Sequence, residues 1–441
     1  MSNEINQNEK AKFSLSGATL YGINAVIGSG IFLLPQRIYK GLGPASLLVM
    51  LGTALLTIML AVCFAEVAGY FNKNGGAYQY SKKAFGEFVG FNVGFLGWIV
   101  TMTAWAAMAA GFAKIFIQTF PAFEGYNLPI SVTLIVLLTV MNLAGLKTSK
   151  TLTITATIAK LIPIIGFSVC AIFFIGGGLK NFTPFVQLES GKDFLGAAAS
   201  TAVYIFYGFI GFETLPIVAG EMRNAEKNVP RAILGSISIV SILYMLIIAG
   251  TIAMLGGNIM TSKAPVQDAF AAMIGPVGAL LVSIGALISI AGLNMGESIM
   301  VPRFGAAIAE DGLLPRKIAE KNKNGVPTLA VFISSSIAII LLLTGSFETL
   351  AALSVVFRFF QYIPTALAVM ALRKQNPEAK VTFRVPFGPV IPLLAIGVSL
   401  VMIVAESVMN VVYGLVGLMV SCAVYFIIHK IKASTFKGTS K

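Results

Sequence analysis

Three ionisable residues lie in segments that are otherwise strongly apolar. They are Lys160 in "TIAKLIPI", Glu213 in "FYGFIGFET" and Arg358 in "SVVFRFFQY". A charged side chain inside a lipid bilayer is costly unless it is paired or hydrated, so residues of this kind are functional candidates. An ammonium, a carboxylate and a guanidinium in such positions indicate chemistry with charged solutes or with protons.

Two of the apolar segments also carry pairs of glycines at comparable depth. The first reads "GINAVIGSGIFLLP", with Gly28 and Gly30, and the second reads "YIFYGFIGFETLP", with Gly208 and Gly211. Glycine destabilises a helix by about 1 kcal/mol relative to alanine and permits backbone angles that other residues avoid. The pairs therefore predict two helices interrupted in mid-membrane, which is typical of transporter binding sites. The alternative is that these glycines only allow helices to pack closely.

An interrupted helix offers unpaired N–H groups at one end of the break and unpaired carbonyl groups at the other. Each set is reinforced by the dipole of its half-helix, so these ends suit a carboxylate and an ammonium group respectively. We hypothesise that the N–H groups of Ser29, Gly30 and Ile31, with the Ser29 hydroxyl, bind a carboxylate group of the substrate. The predicted ligands of an ammonium group of the substrate are the main-chain carbonyls of Val26, Ile27, Tyr207 and Ile210.

The composition requires a lipid environment for most of the chain. Of its 441 residues, 57% are hydrophobic and 11% are charged, and the mean hydropathy is +0.87. Apolar runs of about 20 residues, the length that spans a bilayer as a helix, follow one another closely. We predict an all-α polytopic membrane protein of about twelve transmembrane helices. They are placed at residues 15–39, 44–71, 86–120, 128–147, 152–176, 194–219, 230–256, 266–300, 327–345, 347–372, 388–409 and 412–432.

Basic residues indicate the orientation of these helices. With the N-terminus inside, the cytoplasmic loops and tails hold 23 of the 31 Lys and Arg residues, and the outer loops hold five. Because positive charges in short loops are retained in the cytoplasm, we expect a multi-pass plasma membrane protein with both termini cytoplasmic. The net charge of +13 is spread between apolar runs and forms no patch with interleaved aromatics, which argues against a nucleic-acid partner.

The two glycine-bearing segments lie five helices apart in the chain. This separation predicts that helices 1 to 5 and 6 to 10 are inverted repeats with discontinuous helices 1 and 6. The first repeat covers about residues 15–176, the second about 194–372, and two appended helices about 388–432. We expect residues 1–432 to form a single transmembrane transporter domain and residues 433–441 to form a cytoplasmic tail.

Several longer motifs follow one another along the chain. They are "GSGIFLLP" (28–35), "FAEVAGYFNKNGGAYQYSKKAFGEFVGFNVGFLGW" (64–98), "AKLIPI" (159–164), "FYGFIGFET" (206–214), "EMRNAEKNVPRAI" (221–233) and "EDGLLP" (310–315). In this order the chain resembles the amino acid-polyamine-organocation (APC) superfamily, and in particular its bacterial amino acid permeases. The resemblance runs from about Ser16 to Lys374 and implies secondary active transport of amino acids by alternating access. One departure is Asn72, where such permeases usually carry a proline.

The resemblance also suggests roles for two ionisable residues. Lys160 matches the lysine that occupies the place of a sodium ion in sodium-driven relatives, where its ammonium bridges the first helix and helix 8. This implies sodium-independent transport, with Lys160 either a fixed cation or a group that exchanges protons. Glu213 matches an acid of proton-responsive members, which makes protons a candidate partner. Its alternatives are a hydrogen bond to a neighbouring helix or a counterion for a cationic substrate.

Aromatic and other charged residues give weaker indications. Phe206, Tyr207 and Phe209 crowd the second glycine pair, and Trp105 supplies a further candidate wall for a neutral side chain of small to medium size. The general expectation for buried aromatics is packing. Arg358 must find an acid such as Glu213, backbone carbonyls or water. Three more charged residues, Glu66, Glu297 and Arg303, are placed near cytoplasmic helix ends as solvated anchors or inner-gate ion pairs.

Three other functions compete with amino acid transport. An intramembrane metalloprotease needs a ligand cluster, which one histidine, His429, cannot build, so we expect no metal, no cofactor and no enzyme activity. A channel predicts repeated rings of carbonyls or charges, and the sequence does not repeat in that way. The remaining alternative is a polyamine or cationic amino acid carrier. The sequence does not distinguish proton symport from exchange.

Overall fold

The structure is a computed structural model that describes residues 14–71, 76–145, 150–188, 191, 193–217, 222–379, 381 and 383–438. Within these residues the named elements are helices, and Lys321 and Pro327 form an isolated antiparallel bridge. Asn72, the departure from the permease pattern, lies outside the described residues. The prediction of an all-α polytopic protein is confirmed.

The α-helices follow in chain order, with short 3₁₀ turns between some of them. They are α1 Leu15–Val26, α2 Gly30–Leu33, α3 Pro35–Leu42, α4 Ser46–Ala68, α5 Gly76–Phe85, α6 Glu87–Thr119, α7 Asn127–Leu143, α8 Lys150–Phe174, α9 Phe194–Phe209, α10 Thr214–Ile217, α11 Ala225–Leu255, α12 Pro265–Ile274, α13 Pro276–Glu310, α14 Thr328–Leu342, α15 Phe347–Gln375, α16 Val390–Ala405 and α17 Val408–Gly438.

Helix length and composition fit a membrane protein. Among the described residues, seven helices are long and apolar enough to cross a bilayer, and four shorter apolar helices accompany them. Long helices that are apolar on all sides are stable only inside a protein core or in lipid. The count of twelve spans stays a prediction, as does the division into two repeats with appended helices.

The first predicted interruption is present. Helix α1 ends at Val26, Ile27 has extended backbone angles (φ −70°, ψ 101°), and a helix resumes at Gly30 as α2. Gly28 and Ser29 lie outside regular structure. The break therefore falls at the glycine pair, as expected from the low helix propensity of this residue.

The second interruption is also present, but it begins later than Gly208. That residue is still helical, α9 ends at Phe209, and α10 begins at Thr214. Gly211 has φ +118°, a conformation that residues with a Cβ rarely adopt, and a Cβ there would clash with the carbonyl oxygen of Ala25. The close approach of the two broken helices therefore requires glycine at position 211.

The core is centred on α6, which contacts both α13 and α15. Of the most apolar stretch of α6, 72% is buried inside the protein, against 17% for α17, so α17 lies at the periphery. Small residues bring these helices together: a Cβ at Gly97 would clash with Gln361, and one at Gly305 with the ring of Trp98. Close packing through glycine is typical of membrane helices.

Candidate functional site

A cavity of about 700 Å³ lies between the two interrupted helices. The predicted site residues that line it are Val26, Gly28, Ser29, Gly30, Lys160, Tyr207, Ile210 and Glu213. The predicted site residues that do not line it are Ile27, Ile31, Phe206, Gly208 and Phe209. The surface of the cavity is therefore formed both by residues of the two breaks and by the helical turns beside them.

The start of α2 presents free main-chain donors. Among the described residues, the N–H groups of Ser29, Gly30 and Ile31 donate to no backbone or side-chain acceptor. A Cβ at Gly30 would lie 3.1 Å from the Cα of Gly208 and 3.2 Å from the ring of Tyr207, so the second broken helix packs directly against these donors. An anion in the cavity can accept hydrogen bonds from them.

Lys160 is 2% exposed and lies beside the end of α1. Its Nζ donates to the carbonyl oxygens of Asn24, at 2.6 Å, and of Ile27, at 2.8 Å. These are carbonyls that the end of a helix leaves unpaired, so the ammonium satisfies them and complements the helix dipole. Within the described residues, Lys160 makes no hydrogen bond to α13, the eighth predicted span, so of the implied bridge only the contact with the first helix is present.

Glu213 and Arg358 form an ion pair at the second break. The Arg358 Nη1 donates to Glu213 Oε1 at 2.9 Å, and the Gly211 N–H donates to Glu213 Oε2 at 2.9 Å. The two side chains are only 11% and 12% exposed, and both line the cavity. Glu213 is therefore the acid that compensates the charge of Arg358 in this apolar helix, and each oxygen of Glu213 accepts a hydrogen bond.

Glu213 lies within the interrupted segment, whereas the sequence placed it one or two residues beyond the break. The shift follows from the later start of the interruption. The ion pair therefore joins α15 to the break itself, and a movement of this segment changes the geometry of the pair.

One of the predicted aromatic residues reaches the cavity. Tyr207 lines it, and its hydroxyl lies 3.3 Å from the hydroxyl of Ser29. Phe206 and Phe209 are fully buried and pack elsewhere, against Phe359 and Tyr244 respectively. Their side chains stabilise the helix ends and do not form the wall.

Trp105 is 1% exposed and does not line the cavity. The α6 wall consists instead of Thr101, Ala104 and Met108. The α6 side chains that face the cavity are therefore small or flexible, and Trp105 is not among them.

Helix α13 supplies a wall that the sequence reasoning missed. Gly292, Leu293, Gly296 and Glu297 all line the cavity. Glu297 was placed near a cytoplasmic helix end, but it faces the cavity, and among the described residues it has no hydrogen-bond or ion-pair partner. An acid within "GLNMGESIM" was the signal that could have identified this wall, because an ionisable residue in an apolar helix is a functional candidate.

Glu66 pairs with Arg373, as the ion-pair alternative for this residue predicted. Arg373 Nε and Nη2 donate to the two Glu66 oxygens at 2.6 Å each, and the Val385 N–H donates to Glu66 Oε2 at 2.6 Å. The Glu66 side chain is completely buried. The network ties α4 to α15 and to the segment before α16.

No cluster of three or more His, Cys, Asp or Glu side chains fit to hold a metal occurs in the part of the chain that the structure describes.

The cavity extends toward one end of the helix bundle. On α13 its lining runs from Ile288 to Phe304, about 24 Å at 1.5 Å per residue, and it includes Gly76 and Ala77 of α5. Helix α6 starts beside α5, and its lining stops at Met108. The cavity therefore reaches from the breaks toward the end of the bundle where α5 lies.

The opposite end is held together by direct contacts. Tyr207 bonds to Ser29 across the two breaks and packs edge-on against Phe347, with ring centroids 5.8 Å apart. Farther along α6, Lys114 Nζ donates to Glu348 at 2.5 Å. These contacts separate the cavity from the end of the bundle that is distant from α5.

Known proteins resemble this chain over most of its length. A family model described as amino acid permease matches residues 13–428. An uncharacterised transporter of Mycobacterium bovis is 31% identical over 415 residues, which cover 88% of this chain and 86% of the relative. A serine/threonine exchanger of Bacillus subtilis is 29% identical over 442 residues, with 96% and 98% covered. A branched-chain amino acid permease of B. subtilis is 28% identical over 440 residues, with 93% and 91% covered.

The family match and the relatives agree with the geometry of the cavity. Two interrupted helices face one another across it, and the matched region includes both of them. The three relatives are named as a transporter, an exchanger and a permease. The chain belongs to the amino acid permease family of the APC superfamily.

Proposed function

We propose that this protein is a secondary active transporter that carries amino acids across the plasma membrane by alternating access. One observation carries the proposal: the free N–H groups at the start of α2 face a cavity that the second broken helix also lines. Such paired breaks place opposite main-chain dipoles next to one solute, and a zwitterion matches both. The names of the exchanger and permease relatives support amino acids as the substrate class.

In the proposed pose, the substrate carboxylate accepts hydrogen bonds from the N–H groups of Ser29, Gly30 and Ile31 and from the Ser29 hydroxyl. The α-amino group lies at the end of α1. The Ile27 carbonyl accepts a bond of 2.8 Å from Lys160, whereas the Val26 carbonyl accepts only a longer one, of 3.5 Å, from the Tyr244 hydroxyl. The Val26 carbonyl, which lines the cavity, is therefore the better ligand on this side. Carbonyls of Tyr207 and Ile210 complete the proposed ammonium site.

The substrate side chain faces largely apolar walls in this pose. Ala104, Met108, Leu293 and Phe64 line the cavity and leave space for a neutral side chain of small to medium size. The alternative, a polyamine or cationic amino acid carrier, assigned Glu213 as the counterion. Because Arg358 already neutralises Glu213, that carboxylate is not available as the counterion that this alternative assigned to it.

Transport is proposed to be independent of sodium. The Lys160 amino group donates to two carbonyls at the end of α1, where a sodium ion would otherwise find main-chain oxygens. The coupling is either proton symport or exchange of amino acids. Lys160 and Glu213 are the coupling candidates from the sequence, and the hydrogen bonds that both residues make favour structural roles for them.

Both termini are proposed to be cytoplasmic. The excess of Lys and Arg in the loops that would then face the cytoplasm supports this orientation.

The test uses purified protein in proteoliposomes loaded with each of the twenty amino acids. Saturable counterflow of a labelled amino acid, without single-channel current, supports a carrier. The variant Gly30→Val should abolish counterflow because a Cβ there meets Gly208 and Tyr207. The matched control is Gly52→Val, since nothing lies within 4 Å of a Cβ at Gly52. Absence of counterflow for every amino acid, or normal counterflow in Gly30→Val, would contradict the proposal.

A further inference from the structure

Two glutamates line the cavity, and only one of them has fixed partners. Glu213 bonds to Arg358 and to the Gly211 N–H. Glu297 on α13 has neither a hydrogen bond nor an ion pair with any residue that the structure describes. A carboxylate in a mostly apolar wall is stabilised either by a cation or by a proton.

The position of Glu297 follows from the helix that carries it. Leu293 lies one turn earlier on α13, and its Cδ1 would be 3.8 Å from a Cβ at Gly28. Residues four apart lie one above the other on a helix, so Glu297 is one turn from the α1 break, on the side toward α5. The cavity extends in that same direction, which gives this carboxyl group access to one end of the bundle.

The charged and titratable groups that line the cavity with Glu297 and Glu213 are Arg358, Lys160, Tyr207 and Tyr362. The Tyr362 hydroxyl, on α15, has no hydrogen-bond partner among the described residues, whereas the other three groups have partners. Arg358 of α15 bonds to Glu213, and Lys160 of α8 bonds to two carbonyls of α1. Tyr207 of α9 bonds to Ser29. The facing parts of α6 and α7 contribute Ala104, Met108, Leu134 and Leu138, which carry no charge. Arg358 also attracts the Glu297 carboxylate electrostatically, but its direct ion pair is with Glu213, so among the described residues no cation pairs directly with Glu297.

We propose that Glu297 carries the proton that is transported with the amino acid, whereas Glu213 and Arg358 form a fixed ion pair. This inference rests on the proposed function and names the coupling ion and its acceptor. On protonation, one carboxylate oxygen of Glu297 forms an O–H bond, and that bond breaks when the proton leaves toward the end of the bundle that the cavity reaches. A partnerless carboxyl group can exist in both forms without breaking an ion pair, which Glu213 cannot.

The experiment uses the full-length protein in proteoliposomes that contain the pH indicator pyranine, with a labelled mixture of serine, threonine and the branched-chain amino acids. In the unaltered protein, an imposed pH gradient should drive accumulation, and uptake should carry protons into the lumen. Glu297→Gln should retain counterflow but lose both accumulation and the pyranine signal. Glu297→Asp should recover part of each. The control Glu310→Gln, an exposed position on the same helix, should behave as the unaltered protein.

The outcomes separate this inference from the proposed function. Counterflow without proton-driven accumulation in the unaltered protein overturns the proton role and leaves the transporter intact. Accumulation that persists in Glu297→Gln also overturns it. Loss of counterflow in a Glu297→Gln protein that melts at the normal temperature assigns the residue to substrate binding and overturns it as well. Absence of counterflow in the unaltered protein contradicts the proposed function, and the inference fails with it.

Discussion

Arg358 and Glu213 lie 145 positions apart in the chain, yet their side chains meet at 2.9 Å inside the protein. The contact joins the middle of α15 to the interrupted segment between α9 and α10. Both side chains are largely shielded from solvent, so each depends on the other for its charge to be tolerated. The pair can therefore anchor the second broken helix.

Removal of one member of this pair should destabilise the protein more than removal of both. Truncation of one partner leaves a buried charge without compensation, which costs about 3–5 kcal/mol. We expect Glu213→Gln and Arg358→Gln each to lower the melting temperature in detergent, and the double variant to recover part of the loss. A double-mutant cycle measures the coupling. Additive effects of the two substitutions would show that the residues do not act as a pair.

Transport should not change when sodium is replaced by choline at constant ionic strength. The Lys160 ammonium already satisfies the carbonyls of Asn24 and Ile27 at the end of α1, so this position needs no metal cation. Initial rates of counterflow in the two media provide the measurement, with potassium as a third medium to detect general salt effects. A strict requirement for sodium would contradict the role given to Lys160.

Gly211→Ala should lower both stability and transport. Its φ of +118° is strained for alanine, at about 1–3 kcal/mol, and the added methyl group would also clash with the carbonyl of Ala25. The control is Gly125→Ala, where φ is +91° but nothing lies within 4 Å of the Cβ. We expect Gly125→Ala to lower stability only by the cost of the strained backbone angle, about 1–3 kcal/mol, and to leave transport unchanged. Equal melting temperatures and equal counterflow in the two variants would show that the approach of the broken helices does not matter.

Local features of the sequence predicted the parts of the site that depend on the backbone. Gly28 and Gly30 weaken the helix through their own low helix propensity, whatever packs around them. The first break was therefore predicted at the position where the structure has it. For the second break the sequence named both Gly208 and Gly211, and only Gly211 lies in the interruption. The φ of Gly211, +118°, and the approach of Ala25 distinguish the two glycines, and both are properties of the folded structure.

Side-chain contacts between distant helices could not be predicted in the same way. The sequence named Glu213 as one of several partners for Arg358, but the distance between them depends on the packing of α15 against the break. Which face of α13 points inward is also set by packing, so Glu297 was taken for a residue at a helix end. The sequence could not decide between a wall role and core packing for Trp105 for the same reason, since apolar helices show no polar face that fixes their rotation.

Loss of the Glu66 carboxylate should weaken the protein far more than loss of an exposed one. Glu66 is completely buried and accepts bonds from Arg373 and from the Val385 N–H, so Glu66→Gln leaves the guanidinium without its counterion. The expected cost is about 3–5 kcal/mol. Glu310→Gln removes a surface pair with Lys321, in which both side chains are more than half exposed, and should cost about 0–1 kcal/mol. Melting temperatures of the two variants in the same detergent provide the comparison, and a Glu66→Gln protein as stable as Glu310→Gln would show that this network does not hold α4 to α15.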